Sequence, residues 1–273
     1  MQEARVPGAN PTGASGVASR CVRGALGTHG RRKALRWLAG RRNSQRFSEV
    51  KWENWLVHRI AWGAMAEAAA YAQGLVLDIG CGWKPYQPLF NGRATGYFGL
   101  EHPGTQSHSS VVDVYGNALA LPFASACAGT VLCTAVLEHV PEPLALLREA
   151  TRVLRPGGHL IVTVPHMWML HEEPHDYFRY TRYGLLHLCQ QAGLEVVELA
   201  PLAGFWVTVT TLMCYYVMEV ARKLAVATLA APVVVALQGL GLLCERLHSP
   251  KRYAWMHLLV ARKPDKEGRD GSS

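Results

Sequence analysis

Apolar residues recur along this chain in two periods, and the places where one gives way to the other predict its elements. Trp52, Trp55, Leu56 and Ile60 repeat at helical spacing after Ser48, which can cap a helix running to about Tyr71, and Gly74 is placed to end it. Beyond it come short runs apolar on both faces: LVLDIG (75–80), GYFGLE (96–101), SVVDV (110–114), GTVLCT (129–134), HLIVTVP (159–165), LEVVELA (194–200) and, near the end, YAWMHLLVARKP (253–264). These read as strands. Helical stretches lie between several of them, most clearly PEPLALLREATRVL (141–154) and TRYGLLHLCQQAG (181–193). Two-faced apolar strands alternating with helices predict an α/β fold, a doubly wound, mostly parallel seven-stranded sheet covered on both sides.

One region breaks the alternation. Residues 203–218 (AGFWVTVTTLMCYYVM) and 224–244 (LAVATLAAPVVVALQGLGLLC) are long, nearly uncharged and separated only by EVARK. The second is long enough to span a bilayer and the first is somewhat short. Because the strands on either side must pair in one sheet, the chain has to return to the side it left, so a single span is forbidden. A pair of spans, a re-entrant hairpin, helices lying on a membrane, and a helical lid or dimer surface remain open. The expected division is a basic arm (1–46), a main domain (47–202), an apolar helical hairpin (203–247), the final strand (248–264) and a polar tail (265–273).

Charge sharpens the division. Ten of the 28 Lys and Arg residues lie in positions 1–46 against the single Glu3, which leaves 18 basic and 19 acidic residues in the body. The body is close to neutral, so nucleic acid is not an expected partner. The arm has little to bury and reads as disordered. It lacks the continuous apolar core of an export signal. Seven cysteines are widely spaced with no C-x-x-C pair, the pattern of a reduced, cytoplasmic interior.

The first strand delivers Asp78-Ile-Gly80-Cys-Gly82 into a turn, at the carboxyl edge where an open parallel sheet binds its ligand. A dinucleotide fold would continue to a third glycine for the pyrophosphate, but Trp83, Lys84 and Pro85 follow. A cofactor without a pyrophosphate needs no third glycine, and Glu101, ending the second strand, is placed to accept hydrogen bonds from both hydroxyls of a ribose.

With VLDIGCG, GLE, ALPF (120–123), VLEHVPEP (136–143) and RVLRPGGHLIVTVP (152–165) in that order, the chain resembles the class I S-adenosylmethionine-dependent methyltransferases. The resemblance implies S-adenosyl-L-methionine as cofactor and a Rossmann-like methyltransferase sheet. By it, Gly80 and Gly82 let the backbone approach the methionyl part, Asp78 orders the turn, Glu101 holds the ribose, and Asn117 stands where an Asp usually meets the adenine amino group. The stretch ASACAGTV, with Ser125, Ala128 and Gly129, departs from the acidic and aromatic residues usual there. That departure leaves a cofactor-binding but inactive scaffold as an alternative. Taken singly, Glu138 and His139 read equally well as caps of the helix expected to begin near Pro141.

The loop after the fifth strand reads HEEPHDYFRYT (171–181), and its first five residues satisfy the zinc-peptidase string H-E-x-x-H. That string binds metal only on a helix, and Pro174 between the histidines argues against one, so no metal site is expected and the peptidase remains a remote alternative. At the same sheet edge the loop is instead an acceptor site. His171, His175 and Asp176 are the candidate bases, and Arg179 and Tyr180 the candidates to position an anionic or sugar-like group; equally, these polar residues bond each other to rigidify the loop. The expected acceptor is a small molecule, a glycan or a lipid-linked compound, met at the inner face of a membrane contacted through residues 203–244.

Overall fold

The computed structural model describes residues 51, 53–104 and 110–265; the basic arm, Ser48, Trp52 and the last eight residues lie outside them. A helix α1 (Trp55–Ala68) ends in a short turn before β1 (Leu75–Ile79), followed by β2 (Gly96–Glu101), β3 (Val114–Tyr115) and β4 (Ala128–Thr134). Then come α2 (Pro143–Val153), β5 (Leu154–Pro165), α3 (Arg182–Gln191) and β6 (Glu195–Leu202). The apolar region forms α4 (Phe205–Lys223) and α5 (Ala227–Leu247), and β7 (Met256–Arg262) closes the chain.

The seven strands make one sheet in the order β3-β2-β1-β4-β5-β7-β6, parallel except for β7, which runs antiparallel to both neighbours. The strands are apolar on both faces because both faces are covered, and two layers of core result. One joins Leu77, Ile79 and Val131 to Leu146, Leu147 and Val153 of α2 and to Leu185 of α3. The other joins Val76, Leu132 and Ile161 to Leu56, Val57 and Met65 of α1. Helix α2 starts at Pro143, two residues later than expected, and no side chain caps its first turn, so Glu138 and His139 do not serve it.

Helices α4 and α5 form an antiparallel hairpin around Cys214, Met218 and Val234. It is tied to the body along its length: Val207 near the base lies in the α1 layer, Leu56 N donates to the buried mid-helix Gln238 Oε1 at 3.2 Å, and Arg222, beside the tip, pairs with the buried Glu53 at 2.5 Å. Its outer face is bare. Tyr216, Leu229, Val233, Leu240, Leu243 and Leu247 are exposed, and α5 is the one helix among the described residues long and apolar enough to cross a membrane. Cys81, Cys133, Cys189, Cys214 and Cys244 are free thiols.

Candidate functional site

The carboxyl ends of β1, β2 and β4 meet at the turn that follows β1. Gly80 has a φ of +65°, and a Cβ there would lie 2.3 Å from Val136 Cγ2, so both conformation and space demand glycine. Gly82 also has positive φ (+47°) but open space around its Cα. The turn is held by β2: the Gly80 and Cys81 amides donate to Leu100 O, and the Gly82 amide donates to Glu101 Oε2 at 2.9 Å. Glu101 Oε1 accepts from the His102 amide at 2.9 Å.

Asp78 lies under the turn and is buried, with Oδ2 accepting from Tyr97 Oη at 2.6 Å and Oδ1 without a partner. Burial pushes its pKa up to about 7, against the opposing Tyr97 hydrogen bond. Sequence reasoning missed the ion pair beside it. Buried Lys84, itself at positive φ, pairs with Asp113, whose Oδ2 also accepts from the Gly99 amide at 2.8 Å. A positive charge following a glycine turn and an acid on the third strand were the available signals.

Asn117 is exposed at the edge of the same region, and its Oδ1 caps its own turn by accepting from the Leu119 amide at 2.9 Å. Its carbonyl oxygen is therefore shared between the turn and any ligand. The ASACAGTV departure is absorbed by packing. Ser125 Oγ accepts from Arg152 at 3.3 Å, Ala128 is wholly buried, and a Cβ on Gly129 would lie 2.1 Å from Gln73 O, so the small residues fit a close approach of chain segments.

The loop after β5 is not helical, so His171 and His175 do not share a helix face and the zinc-peptidase geometry is not met. Two of its polar residues are consumed by the loop itself. Arg179 donates to Asp176 through both terminal nitrogens (2.6 and 2.7 Å) and to the carbonyls of Trp168, Met169 and Phe178. Buried Tyr180 donates its hydroxyl to Leu137 O at 2.9 Å. Neither is free to position an acceptor. Asp176 also accepts from the His171 amide at 2.9 Å, and its pKa is held well below the usual carboxylate range, first by Arg179. It is an anchor rather than a base. His175 is exposed with Nδ1 3.1 Å from Tyr177 Oη.

His171 differs. Its Nε2 lies 3.8 Å from Glu138 Oε1, and its pKa is raised, first by Glu138, against desolvation and with help from Asp176. Glu138 sits in a short 3₁₀ turn (Leu137–His139) after β4, fully buried, with no hydrogen-bond partner on either carboxylate oxygen. Val136, two residues before it, is the side chain that closes on Gly80. The glycine turn and the His171 loop therefore flank one segment.

The residues present fit a nucleoside cofactor with a methionyl tail: a glycine turn that a Cβ would fill, an orphaned buried oxygen on Asp78, and a carboxylate at the end of β2. Comparison with known proteins agrees. Residues 77–162 match the family described as a methyltransferase domain. An uncharacterised methyltransferase of Mycobacteroides abscessus is 33% identical over 109 residues, which is 36% of this chain and 42% of the relative. One of Mycobacterium tuberculosis is 32% identical over 102 residues, 34% of this chain and 40% of the relative. The match thus spans less than half the length of these curated relatives. A solved structure of a Haloferax volcanii complex between the Trm112 methyltransferase activator and a methyltransferase superposes with a TM-score of 0.51 at 18% identity, covering 80% of this chain and 96% of that one, which shows the fold.

Proposed function

We propose, from the premise that the chain carries a class I S-adenosylmethionine-dependent methyltransferase domain, that it methylates a hydroxyl or similar nucleophile of a small, glycan-type or lipid-linked acceptor seated against residues 166–181. The observation that carries this reading is Glu101, whose carboxylate at the end of β2 crosses to the Gly82 amide and so ties the second strand's end to the glycine turn. The cofactor supplies a methyl carbon already activated by a sulfonium. The protein's own residues then have two tasks. Gly80, Gly82, Glu101 and Asn117 hold the cofactor, and His171, whose imidazole faces Glu138, receives the acceptor's proton, with the exposed His175 as the other imidazole on the loop.

The bare hairpin favours the lipid-linked acceptor over the other two. Trp168, at the start of the acceptor loop, packs edge-on against Tyr215 of α4 at 5.2 Å and against Trp255 at 5.7 Å. The acceptor loop and the apolar hairpin are thus in direct contact, and a helix of 21 residues, about 31 Å long at 1.5 Å per residue, matches the thickness of a bilayer core. In this reading the protein works at the inner face of a membrane.

The test is transfer of a labelled methyl group from S-adenosylmethionine, by the full chain in mild detergent, into a membrane-lipid extract, a glycan fraction and a polar small-molecule fraction. Label is expected in the organic phase, and His171→Ala is expected to remove it while calorimetry shows the cofactor still bound. Label only in the polar fraction would overturn the lipid-linked acceptor. Tight cofactor binding with no labelled product in any fraction would replace the enzyme by a scaffold.

A further inference from the structure

The buried Glu138 carboxylate is the least satisfied polar group in the site. Both oxygens lack a hydrogen bond, and an ionised carboxylate taken out of water without a partner costs several kcal/mol or more. What faces it is two imidazoles: His139 Nε2 and His171 Nε2 each lie 3.8 Å from Glu138 Oε1, and the rings meet edge to face with centroids 4.7 Å apart. One donor atom from each of the three residues falls within 4.8 Å of the others.

The other ring nitrogens settle what points inward. His139 Nδ1 lies 2.7 Å from the His175 carbonyl, which can only accept, so Nδ1 carries the proton and Nε2 presents a lone pair to Glu138. His171 Nδ1 is engaged on its far side, 3.4 Å from Asp176 Oδ2 and 3.5 Å from Arg179 Nη2, which again leaves Nε2 as the atom aimed at Glu138. Imidazoles oriented through Nδ1 by a carbonyl and by a carboxylate, with Nε2 converging on a third ligand, are arranged as metal ligands are. We propose that Glu138, His139 and His171 form a binding site for a divalent transition-metal ion on the acceptor side of the cofactor pocket.

Two imidazole nitrogens and one carboxylate oxygen select a borderline ion such as zinc or iron(II) over magnesium or calcium, which prefer all-oxygen shells, and over copper(I), which prefers thiolates. With bonds of about 2.1 Å, ligand atoms in a tetrahedral or octahedral shell stand about 3.0–3.4 Å apart, so donor atoms that now lie within 4.8 Å of one another close by up to about 1.4–1.8 Å on the ion. Three protein ligands leave positions open. On the methyltransferase reading, on which this role rests, an open position would take the acceptor's hydroxyl oxygen and lower its pKa; His171, ligating through Nε2, then gives up the role of base, and the proton passes to the exposed His175 imidazole or to water. The H-E-x-x-H string then contributes one ligand, His171, but not as a helical pair; His175 contributes its backbone carbonyl to orient His139.

The experiment uses the full chain, stripped with a chelator and dialysed, then titrated with cobalt(II) and with zinc(II), with binding read from cobalt absorption, metal content and calorimetry. One equivalent is expected, with affinity falling at least a hundredfold in Glu138→Gln and in His171→Ala and unchanged in His187→Ala, an exposed histidine on α3. Glu138→Gln keeps the size of a side chain that has no hydrogen bond to lose, so the metal-free variant should melt close to the wild type while losing the rise in Tm that metal gives the wild type. S-adenosylmethionine titrated in parallel reports folding and separates the two readings. Cofactor binding without stoichiometric metal overturns the metal site and leaves the cofactor pocket standing; metal binding without cofactor does the reverse. Metal bound equally by Glu138→Gln and the wild type also overturns the site, because the ion then lies elsewhere.

Discussion

Replacing Glu101 with Gln tests the cofactor pocket at the residue on which it turns. In the native protein Oε2 receives the Gly82 amide and Oε1 receives the His102 amide, each at 2.9 Å. Glutamine offers one carbonyl oxygen and one NH2 group, so whichever way it turns, one backbone N–H faces another donor. The negative charge that both amides and a ribose diol would share is lost as well. Hydrogen bonds to a charged group contribute about 1.5–3 kcal/mol each, and part of that is returned by the surviving amide contact, so a loss of about 1–3 kcal/mol in cofactor binding is expected. That is roughly a 5- to 150-fold rise in Kd. Calorimetry with S-adenosylmethionine and with S-adenosylhomocysteine checks it. The two share the ribose and differ at sulfur, so both affinities should fall by the same factor. Unchanged affinity for both would refute the assignment of Glu101 to the ribose, and a loss confined to the sulfonium form would show a charge effect at a distance instead.

Other outcomes follow from the same geometry. Gly80→Ala places a methyl 2.3 Å from Val136 Cγ2 at a φ of +65°, so it should cost about 1–3 kcal/mol in stability and weaken cofactor binding more than tenfold; wild-type binding in this variant would place the cofactor elsewhere. Asp78, whose pKa burial raises from 3.8 to about 7, stays protonated in the fold while the unfolded chain ionises, so its contribution to stability is intact below about pH 4 and is lost as pH rises toward 7. At 1.36 kcal/mol per unit the loss is about 4 kcal/mol at most, and Asp78→Asn should remove it, becoming more stable than wild type at pH 7.5 but not at pH 4; urea unfolding of the cofactor-free protein at both values checks this. The protein should stay with membranes through a high-salt wash, since burial of the α5 face is apolar and unscreened, whereas release by salt alone would assign attachment to basic residues instead.

The sheet was legible because its chemistry is repetitive. Strands covered on both faces must be apolar at every position, and β1, β2, β4 and β5 appear where such runs occur. Strand β3 shrank to Val114–Tyr115 because Asp113 is drawn into the Lys84 pair and Gly116 follows. The antiparallel sense of β7 against β6 follows from the pair of helices between them, which returns the chain to the sheet edge it left. At the turn, the glycines at 80 and 82 were legible because both sit at positive φ, and the Glu101 carboxylate has a local partner in the Gly82 amide. For Arg179 and Tyr180 the sequence left an acceptor-binding and a loop-rigidifying role equally open, because nothing in a sequence reveals which loop carbonyls lack a donor, and here those carbonyls take them. The Glu138–His139–His171 cluster was missed because its members lie on two loops joined only by tertiary structure, and Glu138 and His139 had a sufficient local explanation as helix caps.

The way the loop is built bears on how the acceptor is handled. Arg179 reaches both oxygens of Asp176 and three carbonyls, Tyr180 is bonded to Leu137, Tyr177 and Phe178 amides donate to Glu138 O, and Trp168 is wedged between Tyr215 and Trp255. The side chains of Asp176, Arg179 and Tyr180 are thus committed to holding the loop, while Glu172, Glu173 and His175 are exposed and His171 faces Glu138. A displacement at an activated methyl carbon asks mainly for alignment of the two reactants, worth several kcal/mol when geometry is fixed beforehand. A loop stapled this completely supplies that alignment before the acceptor arrives, so selectivity should reside in the shape between Trp168, the hairpin and the His171 cluster. Charged contacts from Arg179 are excluded from that role by the bonds it already makes.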